Sequence, residues 1–188
     1  MLRVVDLTQA SPRRTVHVFG TRTDDPGHGS IEFTLAPGVG GSTLSLLLTA
    51  APDAKAPARA RRFTLMPSLE TELLSAAPLR TAQELLEASL TGSGQVPLQV
   101  EDYLHVFAHT RRSVLHVDIQ PLGWSTRRAL PYARLAAVVF CESEFAYDEY
   151  LAVALGLQIR LPQGAPLKVG MIHRPCQKPM LLLLGEPV

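Results

Sequence analysis

The chain contains no asparagine, so it carries no acceptor for N-linked glycosylation. Cysteine is scarce. Cys141 and Cys176 stand alone, with no Cys-x-x-Cys, which excludes a disulfide framework and a cysteine-based zinc site. Two isolated thiols fit a reducing compartment. Cys141 lies in an apolar run and reads as core, while Cys176, between Pro175 and Gln177, reads as a loop thiol. Long apolar runs are also missing. Leu181 to Leu184 falls far short of the roughly 20 residues a membrane helix needs. No basic-then-apolar leader opens the chain, so the expected location is cytoplasmic.

Catalytic signatures are equally sparse. Gly38-Val39-Gly40-Gly41-Ser42-Thr43 lacks the lysine of a phosphate loop and is followed by a strand pattern, so it reads as a turn. There is no Gly-x-Ser-x-Gly elbow and no His-Glu-x-x-His. No catalytic residue, metal or cofactor is assigned, although an enzyme whose site assembles only in space remains one alternative.

What is present is ordinary globular material. Of 188 residues, 46% are hydrophobic and 19% charged, enough apolar surface to offset chain entropy and exclude whole-chain disorder. The length suits one compact domain spanning 1–188. A second reading divides it into related halves, about 1–94 and 95–188, because His17-Val18-Phe19 echoes His105-Val106-Phe107. Net charge is +1, which excludes polyanion binding by bulk charge alone. Arginine outnumbers lysine 15 to 3, a bias that also suits a GC-rich bacterial genome. The charge is blocky: residues 69–104 sum to −5 and 105–141 to +4. The acidic blocks fall on the helical patterns and the basic blocks on the strand patterns.

Alternation predicts strands over Thr15 to Thr21, Ser30 to Leu35, Ser42 to Thr49 and Arg61 to Met66. The period then changes. Ser68 caps a helical segment that Pro78 breaks, and Thr81 to Glu84 forms a capping box before the stripe Leu85, Leu86, Leu90. Together these predict helix over about 68–91. Ser143 caps a second helix over about 143–155, stopped by Gly156. Short strands follow, Met180 to Leu184 among them. The expected fold class is α+β: mostly antiparallel sheet with two helical segments.

One constellation points to chemistry. Folded as a hairpin around Arg111-Arg112, Tyr103 to Gln120 has an apolar face, Leu104, Val106, Ala108, Leu115, Val117 and Ile119. The other face carries Tyr103, His105, Phe107, His109, His116 and Asp118. Aromatic and imidazole rings interleaved with arginines make a platform for stacked bases and gripped phosphates. Trp124, Arg127, Arg128, Arg13, Arg14 and Arg22 extend it. The same histidines with Asp118 could ligate a metal, but without a diagnostic spacing. The same face could equally pack inside the protein.

Acidic helices argue against a helix read into the major groove. The expected function is therefore non-catalytic binding of nucleic acid, single-stranded DNA in particular. In length and composition alone the chain resembles small DNA-damage-response proteins of radiation-resistant bacteria, which implies genome maintenance or a stress response. The alternative is a protein–protein assembly module, a homodimer or docking partner joined through β edges such as Met180 to Leu184.

Overall fold

The computed structural model describes residues 13–17, 29–38, 41–50, 60–67, 78–92, 94–122, 130–142, 144–175 and 178–188. Alternation decides its first half. β1 (Arg13–His17), β2 (Gly29–Gly38), β3 (Gly41–Ala50) and β4 (Ala60–Pro67) form an antiparallel meander. Every second side chain of a strand points the same way. Leu44 and Leu46 therefore share a buried face with their register partners Leu65 and Phe63.

Two helices cover that face. α1 (Pro78–Thr91) starts at its proline, whose missing N–H costs nothing in a first turn. It buries Ala82, Leu85, Leu86, Ser89 and Leu90. α2 (Val100–Phe107) is entered through Gln99, whose N–H donates to the Asp102 carboxylate at 3.0 Å. Tyr103, Val106 and Phe107, at i, i+3 and i+4, form its buried stripe.

The chain then returns as β5 (Val114–Pro121), parallel to β4. β6 (Tyr132–Cys141) and β7 (Leu167–His173) form a second parallel pair, connected by α3 (Tyr147–Arg160). β8 (Met180–Pro187) runs antiparallel between β5 and β6. The result is one eight-stranded sheet in the order β1-β2-β3-β4-β5-β8-β6-β7. α1 and α2 seal one face around Phe63, Phe107, Val117, Phe140 and Leu184. α3 packs on the other, around Tyr132, Leu135, Val139, Tyr150, Leu157 and Leu183. The crossovers β4 to β5 and β6 to β7 step the same way across the sheet over opposite faces. They are therefore of opposite hand, and one has the rare left-handed sense.

Several expectations are corrected. The fold is a mixed sheet with parallel pairs and, among the described residues, three helices, in place of mostly antiparallel sheet with two. Parallel neighbours need long crossovers, and the extra helix α2 lies in one of them. The Tyr103 to Gln120 hairpin does not form, because its first arm is α2. Consequently His105 is helical whereas His17, its counterpart in the proposed internal echo, ends β1. The described helix begins at Pro78, ahead of the Thr81 capping box, and the expected segment over 68–77 lies outside the described residues. α3 passes through Gly156 to Arg160, and Ser143 also lies outside them.

The edge role of Met180 to Leu184 is likewise corrected, since β8 is interior. The true edge beside β6 is β7, and it is partly capped. Met171 N–H donates to the Val96 carbonyl at 2.8 Å, and the Val169 carbonyl accepts from the Tyr150 hydroxyl at 2.9 Å. No described helix is long and apolar enough to cross a membrane.

Candidate functional site

Helix geometry takes the expected platform apart. Residues two apart on a helix point to nearly opposite sides. Tyr103 and Phe107 turn to the sheet, at 2% and 0% exposure, while His105 and His109 remain exposed. The Tyr103 and Ser89 hydroxyls are 2.7 Å apart. Ser89 spends its one proton on the Leu86 carbonyl at 2.7 Å, so Tyr103 is the donor between them. Burial pushes the Tyr103 pKa well above its ordinary value; the Ser89 hydrogen bond opposes this in part and Asp102 adds to it. Phe107 meets Phe63 with ring centres 5.9 Å apart. Neither ring can stack on a base from solvent.

The other expected residues scatter. His116 is half-buried on β5, and its register partner is Gly185 of β8. Arg13 and Arg14 belong to β1, three strands from β4. Trp124, Arg127, Arg128 and Arg22 lie outside the described residues. Among the described residues, no three His, Cys, Asp or Glu side chains gather into a possible metal site.

Arg111 and Arg112, by contrast, gain neighbours that the sequence reading missed. Leu65 of β4 stands beside Leu115 of β5 in parallel register. β4 begins at Ala60 and β5 at Val114, so in this parallel pair Arg61 and Arg62 share one end with Arg111 and Arg112, which precede β5. The local sequences agree: Arg61-Arg62-Phe63-Thr64-Leu65 and Arg111-Arg112-Ser113-Val114-Leu115 share one pattern, Arg-Arg-x-x-Leu. All four arginines are exposed, with exposed His109 close by in the chain. That repeated doublet was the signal available in the sequence.

The backbone beneath this rim is fixed. Thr64 N–H donates to the Ser113 carbonyl at 2.7 Å, and Arg61 Nη1 donates to the Thr110 carbonyl at 2.6 Å. Glu186 of β8 holds the turn from below. Its carboxylate accepts from Thr110 Oγ1 at 3.1 Å and from Arg111 N–H at 3.2 Å, and pairs with Arg134 Nε at 3.1 Å. Arg134 also donates to the Val106 carbonyl at 3.4 Å. Glu186 is buried, so its charge is committed to these donors and does little to neutralise the surface. The guanidinium groups of Arg62, Arg111 and Arg112 have no partner among the described residues. Four cations at one end of the β4–β5 pair, on a backbone tied by these hydrogen bonds, can accept phosphates or carboxylates.

A second polar strip lies on the face that carries α3. The Tyr132 ring crosses Gly185 to donate its hydroxyl to Asp118, which places β6, β8 and β5 under one side chain. Farther along, Cys141 and His173 are register partners at the ends of β6 and β7. Cys141 is fully buried, with its sulfur 3.9 Å from the Ile172 carbonyl oxygen, as a core thiol should be.

No family model matches the chain, and no curated protein does. Solved structures with similarity include two of FtsZ from M. jannaschii. One, a mutant, has a TM-score of 0.46 and 14% identity, over 60% of this chain and 41% of that one. The other, an empty dimer, has a TM-score of 0.40 and 13% identity, over 60% of this chain and 40% of that one. The chain thus spans about two fifths of the length of these structures.

Proposed function

We propose that this chain is a non-catalytic nucleic-acid-binding module that grips the phosphate backbone through Arg61, Arg62, Arg111 and Arg112. The observation that carries the reading is the parallel pairing of β4 with β5, which brings the two exposed arginine doublets to one end of that pair. Phosphate contacts position a nucleic acid without reading its sequence. The buried rings remove base stacking from the mechanism, so affinity comes from charge and from bidentate guanidinium contacts. Helix surfaces do not compete for the role. α1 exposes Glu84, α2 exposes Glu101, and α3 exposes Asp148 and Glu149, which suits no major-groove reader. Single-stranded DNA is the preferred partner in this proposal. A place in genome maintenance or a stress response belongs to the same proposal and stands or falls with it.

The test is binding of a labelled oligonucleotide, single- and double-stranded, across a salt series. The log of affinity should fall linearly with the log of salt, with a slope near 0.7 per contacted phosphate for single strands. Arg62→Ala with Arg112→Ala should flatten that slope by roughly one to two contacts and weaken all base sequences alike. Absence of binding at low salt, or a slope unchanged in the double variant, refutes the assignment.

A further inference from the structure

Thr110 is the meeting point of the two arginine doublets. It stands directly before Arg111 and is 5% exposed, and each of its polar groups is engaged. Its N–H donates to the Phe107 carbonyl at 3.2 Å, and its hydroxyl donates to Glu186 at 3.1 Å. Its carbonyl accepts from Arg61 Nη1 at 2.6 Å. That last bond draws a β4 guanidinium across to the turn that leads into β5, so cations from both doublets converge on one point. A carbonyl is neutral, and the bond uses one of the five N–H donors that a guanidinium carries. The positive charge of Arg61 is therefore not cancelled. Glu186 is committed below, to Arg134 and to the turn.

The cations stop there. β3, β5 and β8 contain no lysine or arginine, and β4 has none beyond Arg62. Farther along β5 comes an acid, Asp118. A nucleic acid laid along these strands would find one cationic clamp, at one end, and no second clamp on them. Such a point cluster discriminates between two kinds of phosphate. An internal phosphodiester carries a single negative charge and offers two free oxygens. A terminal phosphate monoester carries about −1.5 to −2 at pH 7 and offers three. Arginine forks grip such oxygens two at a time. We infer that this end of the β4–β5 pair binds the phosphate monoester at the end of a nucleic-acid strand, in preference to an internal phosphodiester. The inference rests on the nucleic-acid reading above and names the group that the clamp selects.

Fluorescence anisotropy of the full chain with a short single-stranded oligonucleotide tests this. The oligonucleotide is labelled at one end and carries either a phosphate or a hydroxyl at the other, in both polarities, so that 5′ and 3′ ends are compared. At least one phosphorylated end should bind about three- to tenfold tighter than its hydroxyl counterpart, the worth of one added charge-assisted contact near solvent. Arg61→Lys with Arg111→Lys keeps the charge and loses the forks. It should bring that ratio close to one, with unchanged far-UV circular dichroism because both side chains are exposed. No binding to any oligonucleotide at low salt removes the nucleic-acid reading and this inference together. Binding with equal affinity for phosphate and hydroxyl ends overturns this inference alone. So does a preference that survives the double lysine variant, or a phosphoserine peptide that competes as strongly as the phosphorylated strand.

Discussion

Replacing Phe107 by alanine separates a core ring from a binding ring. Phe107 is fully buried and meets Phe63 across the interface of α2 and β4. Truncating a buried phenylalanine costs about 3–5 kcal/mol in transfer and cavity terms. The tilted ring pair is worth a further ~0.5–1.5 kcal/mol. Against a total stability of about 5–15 kcal/mol, that is a large fraction. With an m-value near 2 kcal/mol/M, the urea midpoint should fall by roughly 2 M. Phe107→Leu conserves most of the volume and should cost below about 1.5 kcal/mol. His105→Ala, two residues away on the exposed side of the same helix, should stay within about 0.5 kcal/mol of the parent. Chemical denaturation followed by circular dichroism measures all three. If Phe107→Ala left the midpoint in place while oligonucleotide affinity dropped, the ring would face solvent and the packing argument would fail.

Three further outcomes follow from the polar contacts. Glu186→Gln leaves Arg134 without its counter-charge. Breaking a buried pair costs about 3–5 kcal/mol, but Arg134 is 21% exposed, so about 2 kcal/mol is expected in thermal unfolding, with partial recovery when Arg134→Met is added. The raised pKa of Tyr103 makes the folded state hold its proton more tightly than the unfolded chain. Its contribution is therefore complete below about pH 10 and is lost as pH rises beyond that, and Tyr103→Phe should flatten the alkaline fall of Tm. Gly185→Ala would drive a methyl into the Tyr132 ring, so a loss of about 1–3 kcal/mol and an altered near-UV tyrosine signal are expected.

The strands of the meander were legible because one face of each is buried, and burial of one face writes a period of two into Phe63, Leu65, Leu44 and Leu46. α2 was misread because Leu104, Val106 and Ala108 also alternate, so a strand pattern is overlaid on a helical one. The deciding marks were Tyr103, Val106 and Phe107 at helical spacing and Asp102 reaching back to Gln99. The pairing of parallel strands left only the repeated Arg-Arg-x-x-Leu as a trace, since no local pattern records which distant strand lies alongside. That is why Arg111 and Arg112 were found and Arg61 and Arg62 were not. Glu186 was equally hidden, because its role depends on Arg134, Thr110 and Arg111, each far from it in sequence.

The interior place of β8 bears on how the molecule is made. β5 and β6 are consecutive strands, yet neither touches the other; each pairs with β8, which leaves the ribosome after both. During synthesis the nascent chain therefore holds two unjoined half-sheets, each with a raw inner border, until one late segment slots between them and locks the whole.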